Sequence, residues 1–367
     1  MTYARTLSSV TICLLLFAAQ VSRAQEGGAV VASDLNGPMG VLVDGRGDLW
    51  VVDSGVGGDE EMPYPDMWTF ELTTVKFGNT SRVLRYGADG SVSEEAVLPS
   101  FVTGRDETVG GARLAIVDDE VYVTSGAWMA GAGDDPKPGM ASVARINDGK
   151  AVDVANFFPV ERDKNPDGYL VDANPYGIAA GPDGALWVTD SAGNTLLRLD
   201  QKTGALKVVA VFDGVPGPLP NPNRENKMEA DPVPTGLAFD EDGKLYVALL
   251  PGFPFVPGSA KVVSVDDSGV ASDYATGLTM LVDLRFGPDG EMYAVSLGQF
   301  TEQGPQPNTG AIVRVHAGDA SEEVLSGLSF PTSIDFNAAG DAFVTINGVG
   351  APGTGQVVKY AGLASSD

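Results

Sequence analysis

The stretch Pro175-Tyr-Gly-Ile-Ala-Ala-Gly-Pro-Asp-Gly184-Ala-Leu-Trp187-Val-Thr-Asp190 places a Gly-Pro-Asp-Gly turn between two short apolar runs. Such a pattern is typical of two antiparallel β-strands joined by a tight turn. Five other stretches repeat it, beginning at Pro38, Gly111, Pro234, Leu281 and Pro331. The aligned aromatic residues of the six copies are Trp50, Tyr122, Trp187, Tyr246, Tyr293 and Phe343. The sequence is therefore a repeat of one unit along nearly its whole length.

Each copy continues into two more strands. A third strand follows the aromatic one, as in residues 82–86 and 195–199, and a fourth precedes the next copy, as in residues 207–212. No apolar period of 3.6 residues persists beyond about ten residues, so long helices are not expected. Four antiparallel strands repeated six times predict an all-β, six-bladed β-propeller.

The two ends of the repeat predict a closed ring. The last copy stops after its third strand, residues 356–360, whereas residues 29–35 form an extra strand before the first copy. This N-terminal strand would close the last blade and leave no open sheet edge. A linear solenoid would need capping segments, which are not found in the sequence. We therefore predict one six-bladed β-propeller domain over residues 25–367, acting as a monomer.

Residues 1–24 have the pattern of a signal peptide. Arg5 precedes an apolar run over residues 10–19, and small residues occupy Ser22 and Ala24 before the predicted cleavage point. The apolar run is too short to span a bilayer as a helix. The one cysteine of the chain lies in this segment, so the remaining residues are free of cysteine. We expect an exported protein, periplasmic or extracellular, without insertion into a membrane.

Composition excludes several classes of function. The chain has 49 Asp and Glu against 23 Lys and Arg, a formal net charge of -26, which disfavours nucleic acid and anionic membranes as partners. A single histidine, placed late in the chain, argues against His-based triads and excludes multi-His metal centres. Neither a nucleophile elbow nor a phosphate-binding loop is found.

Long connections between strands are expected on one face of the ring. With antiparallel strands named a to d from the axis outward, the a–b and c–d turns are short and share a face, whereas the long connections fall on the other. The long connections are residues 54–80, 125–141, 159–174, 213–233, 250–259, 297–309 and 347–355. They predict a decorated face that binds a ligand, the alternative being that they are tolerated surface loops.

Aromatic residues on these connections suggest the kind of ligand. We select Trp68, Trp128, Phe255 and Phe300 as candidate ligand-binding residues, because rings gathered over a concave surface favour a flat or apolar small molecule. The alternative is that these rings pack the loops against one another. No catalytic residue is assigned from the sequence.

Two charged residues interrupt the repeat near the predicted axis. Arg113 and Asp283 stand where other copies have Gly40, Gly177 or Gly236. Because their copies lie three blades apart, the two side chains would face each other across the channel. They would orient a polar ligand, hold a water chain, or form one structural ion pair. In addition, Asp190 and Asn194 offer oxygens to calcium, or are turn residues only.

The chain resembles the ScyD/ScyE family of secreted propellers. The resemblance is carried by the export signal, the Leu35-Asn36-Gly37-Pro38 opening and the repeated Gly-Pro-Asp-Gly-x-Leu-Trp/Tyr-Val words. Named members belong to gene clusters that make scytonemin, an aromatic pigment, and act outside the cytoplasm. The resemblance implies an accessory role in extracytoplasmic metabolite or pigment biosynthesis, with Asn36 near the ligand.

A second resemblance is to the SMP-30-like, or gluconolactonase, propellers and implies a metal-dependent hydrolase. The Glu, Asn and Asp that hold the metal in that family align with Asn36, Tyr176 and Thr235. Neutral oxygens bind a divalent cation poorly, which puts this chemistry in doubt. Acids elsewhere on the same face would build a different site for calcium or another divalent cation, namely Asp172, Asp231 or Glu302.

Three kinds of function follow from these observations. The first is binding of a small, partly aromatic molecule. The second is divalent-metal-assisted hydrolysis of the lactonase type, and the third is a protein-interaction scaffold with a flat top.

Overall fold

The computed structural model describes residues 27–66, 69–104 and 107–365. The predicted signal peptide lies outside these residues. Most of the described chain is β-strand, with one α-helix at Phe158–Lys164 and short 3-10 helices at Ala130–Ala132 and Pro222–Arg224. No helix in this part of the chain is long and apolar enough to cross a membrane.

Six antiparallel sheets of four or more strands follow one another along the described chain. We number them by the chain order of their innermost strands, which stand first in the description of each sheet. Sheet 1 contains Pro38–Val43, Leu49–Asp53, Leu72–Tyr86, Val92–Val102 and Thr108–Val109, with Glu60–Pro65 paired to the third strand; sheet 2 contains Gly111–Val117, Glu120–Ser125, Ser142–Asn147 and Lys150–Asn156; sheet 3 contains Pro175–Ala180, Leu186–Asp190, Thr195–Asp200 and Ala205–Val211; sheet 4 contains Pro234–Phe239, Leu245–Leu249, Ala260–Val265 and Ala271–Leu278; sheet 5 contains Leu281–Phe286, Met292–Ser296, Gly310–Val315 and Glu322–Leu328; sheet 6 contains Ile334–Phe336, Ala342–Ile346, Gly355–Tyr360 and Gly28–Leu35.

Three two-stranded ribbons lie in the connections between these strands, as far as the chain is described. They pair Trp128–Met129 with Asp172–Ala173, Val215–Asn221 with Lys227–Ala230, and Phe300–Thr301 with Gly304–Pro305.

The first strands of the sheets surround a common axis. The first strand of each sheet contacts that of the next, and the first strand of sheet 6 contacts that of sheet 1. These strands come so close that a Cβ atom on Gly40 would overlap the carbonyl of Ala112, and one on Gly177 would overlap the carbonyl of Thr235. The repeat therefore needs glycine where its innermost backbones meet. The chain has an all-β, propeller-like fold.

The N-terminal strand pairs with the last strand of the chain, as the sequence predicted. Gly28–Leu35 runs antiparallel to Gly355–Tyr360, with Gly28 opposite Tyr360 and Leu35 opposite Gly355. Ala32 and Leu35 are buried against this sheet. Sheet 6 is thus assembled from both ends of the described chain.

The first long connection differs from its prediction. The sequence predicts a loop over residues 54–80, but Glu60–Pro65 pairs with the start of the long strand Leu72–Tyr86. Val75 and Phe77 alternate with exposed residues in this strand and are buried, so period-two patterning continues the strand beyond the repeat. The result is a hairpin that extends sheet 1 towards sheet 2.

Candidate functional site

A cavity of about 260 Å³ lies among the long connections of sheets 1 to 4. Its walls come from the hairpin of sheet 1, the connections 125–141, 159–174 and 213–233, and the turn after Asp190. In these antiparallel sheets, all of these segments lie on one face. Its lining residues include Tyr64, Phe70, Trp128, Asp167, Tyr169, Asp172, Ala192, Asn194 and Asp231.

The aromatic wall of the cavity is fixed by packing. Trp128 is 3% exposed, and its Nε1 donates to the carbonyl of Gly133 at 2.8 Å. The Tyr64 ring meets the Trp128 ring edge-on at 5.9 Å and packs on Phe101 at 4.5 Å. Since these rings are held by the core, they present a preformed apolar surface. Trp128 is thus a predicted ligand-binding residue that lines this cavity.

The polar wall is acidic. Asp167 accepts a hydrogen bond from the Asn194 amide at 2.8 Å, and Asp231 accepts one from Arg224 Nη1 at 3.1 Å. Asp172 stands on the ribbon strand beside Trp128–Met129, opposite Met129. Its Oδ1 is buried without a hydrogen-bond partner among the described residues. Asp172 lines the cavity, and this oxygen keeps an unmet capacity to accept a hydrogen bond.

Two more acids lie beneath this wall. Asp190 is 1% exposed and accepts the backbone N–H groups of Asn174 at 2.7 Å and Gly193 at 3.1 Å. Glu161, on the α-helix, is equally buried and points at the backbone of Gly193. The described residues offer no hydrogen-bond partner to Glu161 Oε2. Carboxyl groups from three separate elements thus gather on one side of the cavity.

Burial sets the protonation of these acids. It raises the pKa of Glu161 to about 9, of Asp172 to about 8 and of Asp190 to about 6, and the charges of neighbouring carboxylates add to the shifts of Glu161 and Asp172. Backbone N–H donors oppose the shift at Asp190. Near pH 7, Glu161 and Asp172 therefore carry protons when the cavity is empty.

The predicted calcium ligands Asp190 and Asn194 are used within the protein. Asp190 binds backbone N–H groups, and the Asn194 Oδ1 accepts the N–H of Val233 at 3.2 Å. In the described part of the chain, no three acidic, histidine or cysteine side chains are placed to hold one metal ion. The geometry of this turn matches the alternative, turn chemistry.

Arg113 and Asp283 meet at the axis. Their side chains are 1% and 2% exposed, and Arg113 Nε lies 3.5 Å from Asp283 Oδ1. Asp283 Oδ2 also accepts the Ser333 hydroxyl at 2.6 Å. The Arg113 guanidinium donates to the carbonyls of Met39, Ala112, Val282 and Thr332 and to the Tyr176 hydroxyl. The two residues thus form a buried ion pair, and neither lines the cavity.

A second charged pair lies on the axis and was not predicted from the sequence. Arg285 Nε lies 4.0 Å from Asp335 Oδ1, and Asp335 Oδ2 accepts the backbone N–H of Val43 at 2.6 Å. Burial raises the pKa of Asp335. Both residues align with Leu42 of the first copy, so the same comparison of copies that found Arg113 could have found them.

The other predicted residues are separate from the cavity. Phe255 and Phe300 pack together at 4.7 Å, joining the connections 250–259 and 297–309, as the packing alternative predicts for them. Asn36 is half-buried, and its backbone N–H donates to Asp53 at 2.9 Å. Trp68 lies outside the described residues. The structure therefore brings together only part of the predicted aromatic set.

The positions aligned with the metal ligands of SMP-30-like propellers do not suit a divalent cation. Tyr176 receives a hydrogen bond from Arg113 at 2.9 Å, and the guanidinium lies 4.4 Å from the centre of its ring. Thr235 donates its hydroxyl to the carbonyl of Leu281 at 2.9 Å. A metal ion here would meet neutral ligands and a buried positive charge.

Comparison with known proteins shows similarity to propellers. Residues 177–351 match the family described as the SMP-30/Gluconolactonase/LRE-like region. No curated protein is significantly similar in sequence to the chain.

Solved structures share the fold at low sequence identity. A protein described as an oxidoreductase (glucose dehydrogenase) from Thermus thermophilus has 19% identity and a TM-score of 0.54, with 90% of this chain and 98% of that chain covered. A protein of unknown function from Bacteroides thetaiotaomicron has 13% identity and a TM-score of 0.54, covering 93% and 73%. A structure described as a gluconolactonase has 13% identity and a TM-score of 0.51, covering 92% and 93%.

Proposed function

We propose that this chain is an exported, monomeric six-bladed propeller that binds a small, partly aromatic molecule in the cavity beside Trp128. The observation that carries the proposal is one cavity that combines buried aromatic rings with acidic side chains, built by insertions rather than by the repeat. A preformed apolar pocket with a few polar groups is the usual form of a small-molecule site. The cavity also argues against the flat top expected of a protein-interaction scaffold.

The biological role proposed is that of an accessory factor in extracytoplasmic metabolite or pigment biosynthesis. The resemblance to the ScyD/ScyE family supports it, because that family is associated with an aromatic pigment. The signal-peptide pattern of residues 1–24 supports export to the periplasm or the medium. The six antiparallel sheets of four or more strands support the six-bladed count.

Calorimetric titration with 3-methylindole, a neutral aromatic probe, tests the binding function. Ala192 lines the cavity, so Ala192→Leu places added volume inside it. We expect saturable binding to the wild-type protein and at least about tenfold weaker binding to this variant, because the probe and the leucine compete for one space. Ala205→Leu, on an exposed strand position of sheet 3, is the matched control and should bind like the wild type. Binding that Ala192→Leu leaves unchanged would place the probe elsewhere.

A second candidate is lactonase-type hydrolysis, favoured by the family match over residues 177–351. It is tested by the hydrolysis of gluconolactone with calcium present and with a chelator present. Turnover above the uncatalysed rate that the chelator abolishes would support this candidate. Equal rates with and without the protein would exclude it.

A further inference from the structure

The charged side chains that line the cavity are all acidic among the described residues. They are Asp167, Asp172 and Asp231, and neither lysine nor arginine is among the lining residues. The chain as a whole has a formal net charge of -26, which adds a field of the same sign. Electrostatic repulsion therefore disfavours the entry of anions into the cavity.

Little positive charge compensates these acids. Arg224 pairs with Asp231 at 3.1 Å and with Glu229 at 3.4 Å, so these two carboxylates already balance its positive charge. Arg162, on the same helix as Glu161, pairs instead with Asp163 at 2.8 Å. Asp167 receives two neutral donors, the Asn194 amide and the backbone N–H of Tyr169, and Asp172 Oδ1 receives no hydrogen bond from the described chain. The acidic side of the cavity is thus short of a cation.

The aromatic side chains of the cavity also suit a cation with organic groups attached. Tyr64, Phe70 and Trp128 line it with rings, whose faces attract positive charge. The protein already uses this contact next to the cavity, where the Arg224 guanidinium lies 4.2 Å from the centre of the Tyr169 ring. A bare metal ion would leave the rings without a partner, and the described acids do not converge on one point.

We propose that the ligand of this cavity is an organic ammonium ion carrying a flat or apolar group, with its ammonium beside Asp172 and its flat group against Trp128 and Tyr64. This inference rests on the proposed binding function and names the chemical class of its ligand. An ammonium N–H would satisfy the buried oxygen of Asp172, and the rings would shield the rest of the molecule from water.

Proton release should accompany binding. In the empty protein, burial raises the pKa of Asp172 to about 8, and the carboxylates of Asp190, Asp167 and Asp231 add to the shift. Glu161 below and the Tyr64 phenol also face this group, and the pKa of each is raised by burial. An ammonium replaces the proton of Asp172, so its affinity should increase from pH 6 to about pH 8 and then level off.

Three probes with one indole ring and different charges test the inference by calorimetry at pH 8. They are tryptamine, which is cationic, 3-methylindole, which is neutral, and indole-3-propionate, which is anionic. We expect tryptamine to bind at least about tenfold more tightly than 3-methylindole, and indole-3-propionate to bind most weakly.

The variant Asp172→Asn should lower the affinity for tryptamine about tenfold while the affinity for 3-methylindole stays within about twofold. Asp213→Asn is the matched control, because Asp213 is exposed and does not line the cavity. Should Asp172→Asn fail to fold, Asp167→Asn tests the same wall and should reduce the preference for tryptamine in the same direction.

The outcomes separate the two proposals. If 3-methylindole or indole-3-propionate binds as tightly as tryptamine, the inference about charge is wrong and the binding function stands. If none of the three probes binds, the binding function itself fails. Calcium binding that Asp172→Asn abolishes, without any binding of tryptamine, would overturn the inference in favour of an inorganic cation.

Discussion

Arg113 is the largest side chain that the described part of the chain buries completely. Its guanidinium reaches carbonyls of sheets 1, 2 and 5, the carbonyl of Thr332 just before sheet 6, and the Tyr176 hydroxyl of sheet 3. A side chain that hydrogen-bonds four sheets and the segment leading into sheet 6 joins elements far apart in sequence. Arg113 therefore has a structural role, because its hydrogen bonds hold the sheets together around the axis.

Replacing Arg113 should destabilise the fold strongly. Arg113→Met leaves Asp283 buried without its cation and removes the donors to several carbonyls. We expect the free energy of unfolding to fall by about 3–5 kcal/mol, measured by urea denaturation. The double variant Arg113→Met/Asp283→Leu removes both charges and should recover part of this loss. A single variant as stable as the wild type would contradict the role of the pair.

Glu161 makes stability depend on pH. Its pKa is raised from 4.5 to about 9 in the folded protein, mainly by burial. Between these two pH values the folded state binds more protons than the unfolded state. The free energy of unfolding of the wild type therefore decreases as pH rises through this window. We expect the melting temperature of Glu161→Gln, relative to the wild type, to increase from pH 5 to pH 8.5. Glu241→Gln, at an exposed turn, should show no such trend.

At the scale of elements, the pairing of Gly28–Leu35 with Gly355–Tyr360 completes sheet 6. Leu35 is 1% exposed, whereas Val31 of the same strand is 38% exposed. Leu35→Ala should lower the free energy of unfolding by about 2–5 kcal/mol, because a buried side chain leaves a cavity. Val31→Ala should change it by less than about 0.5 kcal/mol. Equal effects of the two variants in urea denaturation would show that the strand does not contribute to the core.

The regular strands were predictable because the same strand-turn-strand pattern occurs six times in the sequence. The turn words and the aligned aromatic residues placed the hairpins, and Trp50 lies opposite Arg85 just as Trp187 lies opposite Arg198. The insertions carry no such repetition. The hairpin of Glu60–Pro65 with Leu72–Tyr86 could not be predicted in this way because only one copy contains it.

At the scale of the whole molecule, the sequence predicted single residues of the site but not their grouping. Trp128 was selected as a ligand-binding residue and Asp172 and Asp231 as candidate acids, whereas Tyr64 was not singled out. They stand on connections after different strands, and only the folded ring brings them to one cavity. The departures of Arg113 and Asp283 from the repeat were visible, but their contacts with backbone carbonyls depend on distances that only the closed ring sets.

The pairing of Gly28 with Tyr360 also sets the direction in which both ends of the described sheets leave the molecule. Tyr360 ends its strand on the side of the short turns, opposite the side where the cavity opens. A tag or tether fused beyond either strand would therefore attach the protein to a support through the face that carries the short turns. Immobilised in this way, the molecule would keep its cavity turned towards the bulk solution.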